Sequence, residues 1–312
     1  MPKTAKLDMP PLLTCLYSST RLQLDLPTLL EEGAKIFEEL HLTLEQCMLV
    51  EEKTREQRKS RWWFDHRAGR VTASAFYEAA STKNFPSLIK RICYPRSSHF
   101  STEATRWGLQ NEDTARESYW KAMQDLHIDF HITASGLMIN PDLPWIGASP
   151  DGVVTCKCHG MGVLEIKCPF TANGRTLKEC ARDPRFCLTE IAEGTMTLRR
   201  DHSYMFQVQA QMRVAEVMYA DFVVWTPQEL FTQRILFDES FFDQAYLSVE
   251  EFIRTGILPE LLGKWFTVPR LSSTATADLA PEGGAIVESQ LMQTSSHAWL
   301  RLANENTSIG RV

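Results

Sequence analysis

No stretch of this sequence approaches the roughly 18 apolar residues that a membrane-spanning helix needs. The first residues, MPKTAKLDMPPLLTCLYSS, have no basic segment leading into a clean apolar run. Together these absences speak against a helical membrane protein and against secretion. The expectation is an intracellular protein, nuclear in a eukaryote and cytoplasmic otherwise. A global basic excess is also missing. With a net charge of -6 and a pI near 5.8, the surface as a whole is not built for polyanions, so any nucleic acid must be held locally. Eight cysteines come without a leader, several within apolar runs, and read as reduced thiols rather than a disulfide framework. No internal repeat is present.

What is present fits one globular domain with appendages, or at most two domains: 312 residues, of which 44% are hydrophobic and 23% charged. Residues 1–55 carry an acidic run from Leu29 to Glu52 with apolar residues at helical spacing, read as a helical N-terminal extension. After Val268 the chain turns to Ser, Thr, Ala and Gly, as in LSSTATADLAPEGG, so 268–312 is expected to be a disordered tail. That leaves a body over 56–267. From Lys53 to Arg70, seven Lys or Arg residues face two acids, with Trp62, Trp63 and Phe64 among them. Such interleaving suits phosphates and unstacked bases, although alone it reads more simply as a solvated helix face with its aromatics turned inward.

Within the body, Ser101 to Leu126 predicts a helix carrying Glu112. ITASGLMI, WIGASPDGVVTC and GVLEIKCPF then read as strands, the last two as a hairpin turning at Lys157–Gly160. SYMFQVQAQMRVAEVMY reads as a helix and ADFVVWT as a strand.

The chemistry concentrates in the hairpin. In VLEIKC, Glu165 and Lys167 project from one face of the strand, while Leu164, Ile166 and Cys168 project from the other. Asp151, in SPDG at the start of the preceding strand, can be brought beside Glu165 by pairing across the turn. Two carboxylates and a backbone carbonyl make a hard-oxygen site for a divalent ion, with Mg2+ the expected occupant and Mn2+ able to substitute. A cation there neutralises a phosphate and acidifies water, and a neighbouring lysine orients or deprotonates the nucleophile or stabilises developing charge. Alone, a Glu-x-Lys pair on an amphipathic strand reads as a surface ion pair. Its surroundings reverse that reading.

Five ordered blocks, RAGRVTAS, WGLQNEDTARESY, GASPDGVV, GVLEIKCPF and YMFQVQAQM, resemble the YqaJ viral recombinase family and the lambda-exonuclease-like nucleases of the PD-(D/E)xK superfamily. The resemblance spans roughly Arg61 to Trp225. It implies an α/β, restriction-endonuclease-like fold, a mixed central sheet flanked by helices. It also implies hydrolysis of DNA phosphodiesters by a metal-dependent nuclease, 5′ to 3′ from duplex ends, in recombination or repair. Asp151, Glu165 and the main-chain carbonyl of Ile166 would bind the metal, Lys167 would assist the attacking water, and Glu112 would add an acidic group. Arg67 and Ser74, joined by Ser149, match positions that hold a terminal 5′-phosphate. Gln207 or Gln209 matches an active-site glutamine, and Gln207 is preferred. A homotrimer and a single-strand annealing protein as partner are implied by analogy. An endonuclease or nickase on the same fold, or a non-catalytic DNA-binding module derived from it, are the alternatives.

Cys156, Cys158, His159 and Cys168 could supply four soft ligands to zinc, but their spacing is not a common zinc signature. The preferred reading is a reduced turn with a packed Cys168. Cys180 and Cys187 read as core thiols. Trp225, Phe231, Phe237, Phe241 and Phe242 read as core or subunit contacts.

Overall fold

Thr43 divides the N-terminal helical run that the sequence suggested as one piece. The computed structural model describes residues 9–82, 85–97, 102–192 and 194–269, and places two helices there, α1 (Leu26–Glu39) and α2 (Leu44–Lys53). Thr43 forms a capping box with Gln46, which satisfies two otherwise orphaned amides and starts a new helix. There follow α3 (Arg61–Arg67), β1 (Val71–Thr72), α4 (Phe76–Ser81), α5 (Phe85–Cys93) and α6 (Glu103–Met123). Thr102 caps α6, the helix expected over Ser101–Leu126, by accepting from the Thr105 amide.

Next come β2 (His131–Thr133), β3 (Ile146–Gly147), β4 (Gly152–Cys156) and β5 (Gly160–Lys167). Of the strand-like run ITASGLMI, β2 takes the first residues. The rest is irregular apart from a bridge between Met138 and Ala148. WIGASPDGVVTC is likewise split: β3 pairs in parallel with β1, and β4 begins only after Pro150, which has no amide to give a ladder. The chain continues through α7 (Leu177–Cys180), the β6 (Leu188–Ala192) and β7 (Thr195–Leu198) hairpin, α8 (Ser203–Ala215), β8 (Tyr219–Trp225), β9 (Leu230–Leu236) and α9 (Glu239–Phe252). A π-helical turn at Ile253–Ile257 leads into α10 (Leu258–Gly263).

The central sheet has the order β2-β4-β5-β8-β9, antiparallel except for the parallel pair β5 and β8. It is the mixed sheet that the sequence implied, with α6 against one face and α8 against the other. Leu164 and Ile166 of β5 pack with Ala115 and Tyr119 of α6. Val163 packs with Val208 and Met212 of α8, in the cluster that also takes in Cys180 and Cys187. Gly162 fits only without a side chain, because a Cβ there would lie 2.2 Å from the Tyr219 ring on β8.

A third cluster joins α1 to α9, α10 and the π-helical turn between them. Ile36, Phe37 and Leu40 from α1 and its end share it with Phe252, Ile257, Leu258 and Leu261. At the cap of α2, Thr54 Oγ1 accepts from the Leu137 amide and Glu51 Oε1 from the Gly136 amide, so the N-terminal helices brace the segment that leads to the hairpin. Phe242 is buried and Trp225 nearly so. All eight cysteines are free. No helix among the described residues is long and apolar enough to cross a membrane. The tail expected over 268–312 lies outside the described residues from 270 onward.

Candidate active site

The strand alternation of β5 sets the site. Glu165 and Lys167 leave the face that meets α8, while Leu164, Ile166 and Cys168 leave the opposite face. Lys167 Nζ donates to Glu165 Oε1 at 2.6 Å and to Gln207 Oε1 at 3.3 Å, and lies 4.4 Å from the Tyr204 ring centre. Glu165 is only 2% exposed, and a carboxylate so deep requires full hydrogen bonding. It obtains this from α8: Gln207 Nε2 donates to Oε1 at 2.5 Å and Gln211 Nε2 to Oε2 at 2.5 Å. Burial works against the Lys167 charge, but Glu165, Tyr204 and Asp151 outweigh it and hold the ammonium above its ordinary pKa.

Asp151 stands across the hairpin. Its amide donates to the Leu164 carbonyl at 2.9 Å, and its Oδ2 accepts from the Ile166 amide at 2.6 Å. Burial and then the Glu165 charge push its carboxyl well above the usual range, against the opposing pull of Lys167. Glu112, on α6, is a further charge in the same direction and is itself held by Arg116 Nη2 at 2.8 Å.

Gln209, the alternative to Gln207, faces elsewhere: its Nε2 donates to the Leu236 carbonyl and its Oε1 accepts from the Asp238 amide. Gln211 is the residue that the sequence reading passed over, although its i, i+4 spacing from Gln207 puts the two on one helix face. Its Oε1 is buried without a hydrogen-bond partner.

The second group gathers on a pocket of about 390 Å³ whose lining includes Trp63, Arg67, Arg70, Thr72 and Ser74. Arg67 stacks on Trp63, 3.9 Å from the ring centre, and its Nη2 reaches Thr72 Oγ1 at 3.5 Å. Thr72 Oγ1 lies 3.2 Å from Ser74 Oγ. Ser149 is joined to this wall through Trp63, whose Nε1 donates to Ser149 Oγ at 3.0 Å.

Neither Arg67 nor Arg70 forms an ion pair among the described residues. Burial lowers both guanidiniums to about 10, so both remain cations at neutral pH. Arg70, also missed from sequence, is 1% exposed and donates to the Pro144 and His66 carbonyls, leaving Nη2 without a partner. Arg67 is half-buried and Arg70 buried, neither has an acid partner among the described residues, and Glu78 on the same lining is paired with Arg91, so this wall favours an anion.

The basic and aromatic window is thus divided in its uses. Trp62 is exposed, Arg67 and Arg70 line the pocket, and His66 is buried and pushed down to about 4 by burial and by Arg70. One proline separates Ser149, tied to the pocket wall, from Asp151 in the carboxylate group. Gln57 Nε2 holds that segment by donating to the Pro150 carbonyl at 3.1 Å.

Hard oxygen donors, crowded carboxylates and a raised Asp151 fit a divalent cation, whose charge would offset the repulsion. In this arrangement Glu165 is turned onto its lysine and glutamines, and Asp151 onto the Ile166 amide. Among the described residues, the group of His, Cys, Asp or Glu side chains gathered to hold a metal ion as the structure stands is His127, Cys156, Cys158 and His159, whose ligand atoms lie within 4.8 Å of one another.

The family model for the YqaJ-like viral recombinase domain matches residues 62–218. No curated protein matches the chain. Among solved structures, the chain is similar to the alkaline exonuclease LHK-Exo from Laribacter hongkongensis, at 26% identity over 64% of this chain and 93% of that one, TM-score 0.47. It is also similar to the Shutoff and Exonuclease Protein from Kaposi's sarcoma-associated herpesvirus, at 14% identity over 71% and 74%, TM-score 0.46. A third is a phage-related exonuclease from Haemophilus somnus, at 14% identity over 62% and 94%, TM-score 0.43.

Proposed function

The chain belongs to the YqaJ-like viral recombinase domain family, and from that premise we propose that it is a divalent-metal-dependent DNA nuclease that digests duplex ends 5′ to 3′ in recombination or repair. The observation that carries the reading is one group at the open end of a hairpin: Asp151 immediately before β4, its Oδ2 on the Ile166 amide, and Glu165 on β5, with Lys167 2.6 Å from Glu165. Asp151, Glu165 and the Ile166 carbonyl would hold the cation, with Glu112 beside them. When bound, the cation neutralises the phosphate and lowers the pKa of water. Mg2+ suits such hard ligands, and Mn2+ would substitute.

The chain's own groups do the rest. Gln207 and Gln211 fix both oxygens of Glu165, so its position is set before substrate arrives. The Lys167 ammonium, a cation in this setting, orients the nucleophile and stabilises charge developing on the phosphate. The arginine-lined pocket takes the end of the strand. Ser149 Oγ already accepts from Trp63, so its own proton is available to a phosphate oxygen, alongside Ser74 and the Arg67 fork.

A terminal 5′-phosphate carries more charge and more acceptor oxygens than an internal diester. Linear duplex with 5′-phosphate is therefore expected to be degraded much faster than the same duplex with 5′-hydroxyl, and covalently closed circles spared. Arg67→Ala, which leaves the carboxylates untouched, should shrink the contrast by about tenfold or more, since it removes a charge-assisted bidentate contact. A gel assay of end-labelled duplexes reads both effects. Efficient cutting of closed circles would instead support an endonuclease, and binding without any cleavage a non-catalytic module.

Three further parts of the reading rest on the sequence and on the resemblance. The nuclease domain would span 56–267, between an N-terminal extension and a C-terminal tail. The active form would be a homotrimer, with a single-strand annealing protein as partner. Acting on DNA, the enzyme would work inside the cell, in the nucleus of a eukaryote or otherwise in the cytoplasm.

A further inference from the structure

We infer that the turn of the β4–β5 hairpin and the loop after α6 form a structural zinc site whose four ligands are His127, Cys156, Cys158 and His159. Their ligand atoms all lie within 4.8 Å of one another. His127 Nδ1 is 3.3 Å from Cys158 Sγ, and Cys156 Sγ is 3.6 Å from His159 Nδ1. A tetrahedral zinc, with Zn–S about 2.3 Å and Zn–N about 2.0–2.1 Å, requires S···N separations of roughly 3.5 Å. These two separations lie to either side of that value.

Two thiolates and two neutral imidazoles balance the charge of Zn2+, each thiol giving its proton to the buffer on binding. The set is soft and closed, unlike the hard carboxylates of the candidate active site, and the inference does not depend on nuclease activity.

The sequence offered Cys168 as a possible fourth ligand, near the others along the chain, but favoured a reduced turn with a packed Cys168. The structure puts Cys168 in the cluster beneath α6 and brings in His127 from 29 residues before Cys156 instead. The Lys157 amide donates to the Ile128 carbonyl at 2.9 Å, and Lys157 pairs with Asp129, so the loop is already docked on the turn. A zinc there would clamp the turn to the chain leading into β2. It would thereby fix β4, which begins directly after Asp151, and β5, which carries Glu165.

The full chain, purified under reducing conditions from zinc-supplemented cells and dialysed exhaustively, should retain about one zinc per chain by elemental mass spectrometry, since structural sites bind tightly at neutral pH. Cys158→Ser and His127→Gln should each lower bound zinc at least about tenfold, whereas Cys168→Ser should retain it. Cys158 is exposed, so its replacement disturbs no core. Co2+ substitution of the wild-type chain is a second readout that needs no variant: tetrahedral d–d bands with thiolate charge transfer are expected. Zinc absent from the wild type, zinc lost in Cys168→Ser but kept in His127→Gln, an octahedral Co2+ spectrum, or a Cys156–Cys158 disulfide in the purified chain would each overturn the assignment.

Discussion

Lys167→Ala is expected to lower DNA cleavage by at least about a hundredfold while leaving the fold and DNA binding largely in place, because a positioned charge-stabilising group is typically worth that much in rate. The selectivity follows from the packing. Glu165 keeps two donors, Gln207 and Gln211, after the ammonium is removed, so no buried carboxylate is stranded. The Lys167 chain leaves the Tyr204 ring, whose contacts with His202 and Phe222 persist. Cleavage of end-labelled duplex and the thermal midpoint, measured on one preparation, separate rate from stability. Near-normal turnover would remove Lys167 from the mechanism.

Asp151→Asn and Glu165→Gln are expected to abolish the response to divalent cations and to reduce cleavage by about a hundredfold or more, since each removes a hard anionic ligand while keeping its shape. Their effects on the metal-free protein should differ. Burial and Glu165 raise the Asp151 carboxyl above its ordinary value of 3.8, so the folded state binds its proton more tightly than the unfolded state does. Stability contributed by that proton is full below the unfolded pKa and is lost as pH rises through the folded one. Without metal, wild-type protein should therefore lose stability relative to Asp151→Asn as pH climbs from about 4. Adding Mg2+ at neutral pH should restore the difference in the wild type alone. Glu165→Gln must instead place an amide against two glutamine donors, and its metal-free form should unfold more easily. Urea titrations across pH would show this, and identical pH profiles for wild type and Asp151→Asn would contradict it.

The residues that were legible in sequence are those whose roles depend on local periodicity. The alternation in VLEIKC put Glu165 and Lys167 on one face correctly, because a strand face is fixed by spacing alone. The α6 span and the β4–β5 hairpin followed from local pattern in the same way. What was missed depends on contacts distant in sequence. Gln211 became visible only once α8 lay across β5, and Arg70 only once the Pro144 carbonyl reached it. ITASGLMI alternates like a strand, yet Gly136 must pass so close to Glu51 that a Cβ would lie 1.9 Å from its carbonyl oxygen, and the segment follows the helix cap instead of a ladder. His127 carried no signal because its partners lie around a turn 29 residues away.

The central claim, that the hairpin carboxylates and Lys167 make a metal-dependent nuclease, is tested most directly by release of acid-soluble nucleotides from a linear, 5′-phosphorylated duplex. Release is expected with Mg2+, none after Mg2+ is removed by dialysis, recovery when Mg2+ but not Zn2+ is returned, and release from Lys167→Ala with Mg2+ at least about a hundredfold slower. Release that continues undiminished without divalent cation, or that Lys167→Ala supports as well as the wild type, would contradict it.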